Sequence, residues 1–263
     1  MSRIILHSLH HEPEHDAYER APVLAGAVED LGVWVGDLAR RHGAARGAEP
    51  APIVICSTTI SDLLYDCDDL NSAFRRHVER ESGAAVDQII STYECASWGF
   101  ALRYLARRGG GPVTLIIMDV NLPHFAFWGR DQVWGRSGHG AVVLGLELAP
   151  GFAADFKVGC AAPGRGLFEF VRALQSTAEQ VDPAPIFVPF LAPAMRPVIE
   201  RTTVRARVAP NLYDRYGHCF GSDPWIGLID RLDGTPEARP ERVVVGSFAL
   251  NGYYCLAHVA LAQ

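Results

Sequence analysis

Apolar positions recur along this chain in two rhythms. At 4–9 they alternate with polar positions, the period of a half-buried strand. Val28, Leu31, Val35 and Leu38 recur at steps of three and four, the period of one helix face, so the pattern predicts a helix over 23–42 that Gly43 and Gly47 end. Short apolar runs at 53–56 and 86–90 fit strands buried on both faces. Between and after them, 70–81 reads as a helix stopped by Gly83, and 95–108 as a helix stopped by Gly109-Gly110-Gly111. A strong strand follows at 113–120, with 141–148 as its antiparallel partner.

A second round repeats this order. It reads as a strand at 156–160, a helix at 166–178, a buried strand at 186–190, and a helix at 194–205 with Pro197 in its first turn, where proline is tolerated. Helical spacing returns at 225–232, and strands at 243–248 and 253–261 close the chain. The pattern does not mark a third strand in this round. Each half is thus β-α-β-α-β-α-β-β or nearly so, which implies a mostly parallel sheet covered on its faces. The boundary falls near Pro150-Gly151 and divides the chain into 1–150 and 151–263, expected to pack as one unit. The Ala/Gly/Arg stretch at 43–50 reads as a surface loop.

Composition narrows the function classes. The 263 residues are 49% apolar and 21% charged, an ordinary globular balance. No segment has the roughly 18 apolar residues of a membrane span, and 1–15 lacks the apolar core of a signal peptide, so the expected location is the cytoplasm. The net charge is −6, and Lys157 is the only lysine among 24 basic residues, which does not suggest nucleic-acid binding. Six cysteines are widely spaced without a CxxC pair and read as reduced, mostly small core residues. His7, His10, His11 and His15 follow the first strand into a polar loop that offers no scaffold for a metal, and none is expected. A P-loop lysine, a GxGxxG after a strand and a GxSxG are all absent; Gly164-Arg165-Gly166 is a lone fragment.

The most informative window is Ser91-Thr92-Tyr93-Glu94-Cys95-Ala96-Ser97-Trp98-Gly99-Phe100-Ala101-Leu102. A strand ends at Ile90, a turn follows, and a helix is expected to begin close to Cys95. Unpaired N–H groups and the positive helix end favour a thiolate there. A thiolate attacks thioesters readily, and the same backbone suits an oxyanion. Glu94 works against this, since a nearby carboxylate raises a thiol's pKa.

This window resembles the nucleophile segment of the thiolase superfamily, in particular its ketosynthase III and chalcone-synthase-like branch. Three further segments match in order. The run 134–144, Trp-Gly-Arg-Ser-Gly-His-Gly-Ala-Val-Val-Leu, is similar to the family's Gly-Asp-Gly-Ala segment, with His139 in place of a small residue. Tyr216-Gly217-His218 falls where the family has Tyr-Gly-Asn, and 243–252 resembles its closing glycine-rich turn. The resemblance implies a thiolase-like α/β fold of two pseudo-equivalent βαβαβαββ halves packed as one layered unit. It implies Cys95 as nucleophile and His218, at the asparagine position, as its imidazole partner, converging from the starts of two central helices. Asp223 would orient His218 if the turn 221–224 folds back. The chain departs from the family at 188–193, Val-Pro-Phe-Leu-Ala-Pro, where the family's histidine would lie, and in being shorter than typical members. His124, in an aromatic cluster after a buried strand, is a candidate substitute for that histidine, although such clusters more often serve packing or an interface.

Two readings follow. The first is an acyltransferase or condensing enzyme, similar to 3-oxoacyl-ACP synthase III. It takes an acyl group onto Cys95 from coenzyme A or from the phosphopantetheine of an acyl carrier protein, in polyketide or fatty acid biosynthesis, with specialised metabolism favoured by the altered catalytic set. No permanently bound cofactor is expected. The second is a non-condensing, chain-length-factor-like subunit paired with a full-length ketosynthase relative. The resemblance implies a dimer under either, a homodimer or that heterodimer.

Overall fold

The computed structural model describes residues 2–13, 24–46, 49–60, 68–120, 130–131, 135–162, 164–180, 183–202, 204–234 and 239–262. The first half runs β1 (Ile4–Pro13), α1 (Leu24–His42), β2 (Ile53–Cys56), α2 (Asp68–Ser82), β3 (Val86–Ile90), α3 (Ser97–Arg107), β4 (Gly111–Asp119) and β5 (Gly140–Leu148). The second runs β6 (Phe156–Cys160), α4 (Gly166–Gln180), β7 (Ile186–Phe187), α5 (Asp223–Gly234), β8 (Arg242–Phe248) and β9 (Tyr253–Leu261).

The strand order of the first half is β3-β2-β4-β5-β1, with β2, β3 and β4 parallel and β5 antiparallel to both its neighbours. The second half repeats it as β7-β8-β9-β6, again with its penultimate strand, β9, antiparallel to both sides. Among the described residues the second half has no full third strand. Its remnant is one parallel bridge between Ile186 and Val208, where the Ala209 N–H donates to the Ile186 carbonyl at 2.8 Å. Pro210, which has no N–H to give, follows at once. The end of β9 pairs with β1, Ile5 opposite Ala260 and Leu6 opposite Leu261, and joins the halves into one nine-stranded sheet.

Side-chain alternation builds the layers. Leu115 and Ile117 of β4, Val142 and Leu144 of β5, Val243 and Val245 of β8, and Cys255 and Ala257 of β9 all face one core shared with Trp98, Leu102, Trp225 and Leu228. That core is the central layer of α3 and α5, and the alternate residues face outward. Ile116, Met118 and Val143 meet Val28, Val35 and Leu38 of α1 and Phe74 and Val78 of α2. Val244 and Leu256 meet Phe170 and Leu174 of α4. Each fully buried Phe, Leu or Ile adds about 1.5–3 kcal/mol of hydrophobic stabilisation, so the central layer is a strong anchor for the site it carries. Trp98 and Trp225 meet edge to face at 5.4 Å across it. Gly99 lets α3 approach β9, since a Cβ there would stand 2.1 Å from the Cys255 Cβ.

Several boundaries differ from the expectation, each for a local reason. The helix expected over 194–205 is Arg196–Glu200 only; the Thr202 hydroxyl bonds the Ile199 carbonyl at 2.7 Å and ends it. The strand expected over 186–190 stops at Phe187, two residues before Pro189. β1 extends past Leu9 to Pro13, so His10 and His11 lie on a strand opposite Val143 and Val142, not in a loop. His10 stacks on His42 and meets Glu12 at 3.0 Å; His15 lies outside the described residues. The 43–50 loop contains a short antiparallel pair, Ala45–Arg46 with Glu49–Pro50. No helix among the described residues is long and apolar enough to cross a membrane.

Candidate active site

The parallel strands β2, β3 and β4 end on one side of the sheet, where open α/β sheets place their ligands. Their ends deliver Ser57, the turn carrying Cys95, and Asp119. After Ile90 the chain forms a 3-10 turn, Glu94–Ala96, and only then enters α3 at Ser97. Cys95 therefore precedes the helix instead of starting it. Glu94 takes φ +47, a left-handed value that an α-helix of L-residues does not propagate. Its carboxylate accepts hydrogen bonds from the backbone of Leu250 and Asn251, in the turn between β8 and β9, which holds the strained residue in place.

The second half presents His218 from just before α5. Gly217, at φ +78, lets the chain pass the Arg136 carbonyl at close range. The His218 N–H then donates to that carbonyl at 2.8 Å, and the Gly138 N–H donates to the His218 carbonyl at 2.9 Å. A second 3-10 turn, Phe220–Ser222, follows, with Phe220 at φ +53, and α5 starts at Asp223.

These elements bring three of the expected residues together. The Cys95 Sγ lies 3.7 Å from His218 Nε2, and His218 Nδ1 lies 2.5 Å from Asp223 Oδ2. The turn at 221–224 folds back as the sequence reading required. Asp223 is wholly buried and its carboxylate is fixed by two more donors, the Cys219 N–H at 2.6 Å on Oδ1 and the Phe190 N–H at 2.9 Å on Oδ2. A carboxylate on Nδ1 favours the tautomer with its proton there and leaves Nε2 as a base aimed at sulfur. Phe190 belongs to the 188–193 stretch, which contributes this backbone donor and no imidazole. His124 lies outside the described residues. His139 packs near Phe220, ring centroids 6.0 Å apart, and burial pulls its pKa down to about 4, so it is neutral at pH 7.

The thiol's electrostatics run against the thiolate that a helix start favours. Cys95 is 4% exposed; burial first, then the charges of Asp119, Glu94 and Asp223, push its pKa well above the ordinary thiol range. A helix terminus contributes about 0.3–1 kcal/mol, whereas burying a charge shifts a pKa by up to several units, so burial decides. The resting residue is a thiol that needs a base, and His218 is positioned as one.

Two polar residues escaped the sequence reading. Asp119 ends the apolar run of β4 and is 1% exposed; its Oδ1 accepts the Thr58 N–H at 2.5 Å, the Thr59 N–H at 3.0 Å and the Ser57 hydroxyl at 3.1 Å. Burial raises its pKa to about 7 against these bonds. Thr58 is the second. The available signal was a lone acid at the carboxyl end of an otherwise apolar strand. A cavity of about 180 Å³ lies elsewhere, between Phe187–Leu191 and Val208–Asn211. It touches the site only through Phe190, and neither Cys95 nor His218 lines it. Chemistry needs converging groups more than volume, and those converge at Cys95, His218 and Asp223.

The fold is thiolase-like: duplicated halves around a central helical layer, with Cys95 and His218 in the turns that lead into its two helices. Solved structures with a similar fold include ketosynthase III enzymes. One is 3-oxoacyl-(acyl carrier protein) synthase III of Pseudomonas aeruginosa, 14% identical, with 99% of each chain covered and a TM-score of 0.64. Another is a priming β-ketosynthase of a polyketide biosynthetic pathway, 13% identical, with 100% of this chain and 97% of that one covered and a TM-score of 0.66. A third is the acyltransferase ChlB3, 13% identical, with 99% and 98% covered and a TM-score of 0.63. At these identities the likeness establishes the fold. No family model and no curated protein matches the sequence.

Proposed function

We propose that this protein is a ketosynthase III-like acyltransferase that carries an acyl group on Cys95. The observation that carries the reading is the alignment of Sγ, imidazole and carboxylate, 3.7 Å and 2.5 Å apart, inside that fold. His218 Nε2 takes the thiol proton as sulfur bonds to the carbonyl carbon of an acyl-thioester. The tetrahedral intermediate then expels the pantetheine sulfur of coenzyme A or of an acyl carrier protein, which takes that proton back from the imidazolium. Asp223 offsets the imidazolium charge in between. An acceptor nucleophile reverses the sequence, giving its proton to His218 and releasing Cys95. Transfer is favoured over decarboxylative condensation, because the latter needs further donors for an enolate and the 188–193 stretch supplies phenylalanine and leucine side chains there. The similar acyltransferase and priming ketosynthase of a polyketide pathway, together with the altered catalytic set, support a biosynthetic role of the specialised kind. β3 is one of the two edge strands of the sheet among the described residues and suits strand pairing with a second copy in a homodimer.

Intact mass after incubation with acyl-coenzyme A and acyl-carrier-protein donors tests this. The expected result is a single acyl adduct on the wild type and none on Cys95→Ala; no adduct from either donor type defeats the reading. The depth of the thiol and its raised pKa favour a second one, a non-condensing partner of a full-length ketosynthase. Turnover of the reconstituted pair then survives Cys95→Ala unchanged.

A further inference from the structure

His218 stands between two helices and belongs to neither. Before it the short helix Tyr213–Tyr216 ends at Gly217, whose φ of +78 breaks the helical path. After it comes the strained turn Phe220–Ser222 that leads into α5. What meets the backbone of His218 is the segment 135–138, which comes from the first half of the chain. Ser137 and His218 form a parallel bridge, flanked by the hydrogen bonds to the Arg136 carbonyl and from the Gly138 N–H. The approach is close. A Cβ on Gly138 would stand 2.2 Å from the Tyr216 carbonyl oxygen and 2.5 Å from Cys219 Sγ.

Arg136 fastens this segment to the short helix. Its backbone N–H donates to the Tyr213 hydroxyl. Its guanidinium Nη2 faces the carbonyl oxygens of Tyr213, Asp214 and Arg215 at 3.4, 3.2 and 3.3 Å. A helix end leaves its last carbonyls without intrahelical donors, and a cation there satisfies them. Two more arginines hold the same helix from other sides: Arg196 grips the Asp214 carboxylate at 3.0 and 3.1 Å, and Arg215 reaches Asp230 of α5 at 2.9 Å. Arg136 differs from both in bonding His218 with its own backbone. We propose that Arg136 is a positioning residue for His218: by clasping the segment 135–138 to the end of the helix 213–216, it holds the imidazole in register between the Cys95 thiol and the Asp223 carboxylate. This rests on the reading of His218 as the base of Cys95. Misplacing a reacting group by about 1 Å costs about a hundredfold in rate, so a backbone clasp of this kind bears on the chemistry without touching it.

The test reads the ring itself. In 15N-histidine-labelled protein the two ring nitrogens of His218, assigned by their loss in His218→Gln, report the tautomer. Wild type is expected to hold one tautomer, with the proton on Nδ1 toward Asp223. Arg136 is exposed, so Arg136→Ala opens no cavity in the core. That variant is expected to mix the two tautomers. It is also expected to slow acylation at saturating acyl-coenzyme A about tenfold, with the KM of the donor little changed. Arg136→Lys returns a cation with three donors and is expected to recover most of both. A brace that serves stability alone lowers the urea midpoint and leaves the ring as it was. A His218 spectrum as unmixed in Arg136→Ala as in wild type overturns the proposal, whatever happens to stability. A wild-type ring that is already mixed overturns it too. If Arg136→Ala does not fold, Tyr213→Phe, which deletes only the hydroxyl on the Arg136 N–H, decides in the same way. Acyl adducts measured on the same samples separate the two readings. Mixing in the variant without any adduct on wild type removes the acyltransferase and leaves the clasp; adducts with an unmixed variant do the reverse.

Discussion

The turn Glu94–Ala96 and the turn Phe220–Ser222 are built alike. Each is a 3-10 turn, each begins on a non-glycine residue in the left-handed region, and each runs straight into a helix of the central layer. Strain of this kind costs about 1–3 kcal/mol per residue and persists only where the surroundings over-determine it. Glu94 is held by the β8–β9 turn, while Phe220 has its ring buried between two imidazoles, 5.4 Å from His218 and 6.0 Å from His139. In the second position of each turn the halves diverge: Cys95 has a thiol and Gly221 nothing. At the first helical residue they diverge again, Ser97 against Asp223. The strand ends differ too. Asp119 of β4 faces the site, while Ser247 of β8 accepts the Trp98 indole N–H at 2.9 Å. One backbone thus places two different sets of groups, a thiol on one turn and an imidazole with its carboxylate around the other.

The largest effect expected of breaking that division is at its second member. His218→Ala removes the base while Cys95 and both turns stay, and slows acylation roughly 10²–10⁴-fold in quenched-flow mass measurements. An unchanged rate would assign all the chemistry to the first half. The next effect concerns the strand ends. The folded-state pKa of Asp119 is raised from 3.8 to about 7 by burial, so the folded protein holds a proton that the unfolded chain has lost. The contribution is present below about pH 4 and disappears as pH rises through about 7, a loss of about 4 kcal/mol as an upper bound. Urea unfolding across that range should show wild type losing stability relative to Asp119→Asn by a large part of this amount. Parallel pH profiles would mean that Asp119 is ionised throughout.

Much of this arrangement was legible in the chain. The apolar runs at 113–120, 141–148, 243–248 and 253–261 marked β4, β5, β8 and β9 close to their bounds, because strands buried on both sides leave few polar positions. Cys95 was readable from its place between a strand end and a helix, while His218 and Asp223 were candidates only through the resemblance to the thiolase superfamily. What was not legible depended on tertiary context. The Phe220 left-handed turn has no glycine to announce it. The third strand of the second half is one bridge at Val208, too short for any pattern. Thr58 carries no sequence signal of its own, and the group that holds its N–H, Asp119, is distant in the chain. Asp119 did leave a trace, an acid closing an apolar strand, but only the fold shows which groups surround it.

Smaller changes sharpen the comparison at the second turn. Asp223→Asn keeps the volume but places an amide where the carboxylate accepts the Cys219 and Phe190 N–H groups and the imidazole, so at least one donor loses its partner. A buried hydrogen bond to a charged group contributes about 1.5–3 kcal/mol, and a loss of about 2 kcal/mol is expected in urea unfolding, with a slower acylation as the imidazole loses its orientation. Gly221→Ala is the mildest. It gives the second turn the Cβ that Cys95 has in the first. That carbon would stand 3.1 Å from the Cys95 carbonyl oxygen and 3.1 Å from Ile117 Cγ2. The isoleucine can rotate, but the carbonyl belongs to the strained turn and yields only if the thiol moves with it. Overpacking by one methyl costs about 1 kcal/mol at a site that relaxes. The acylation rate is the sharper readout, expected to fall about tenfold, since a few tenths of an ångström at Sγ disturb its approach to Nε2. An unchanged rate with the same loss of stability would show that the two turns pack against each other without setting the thiol's position.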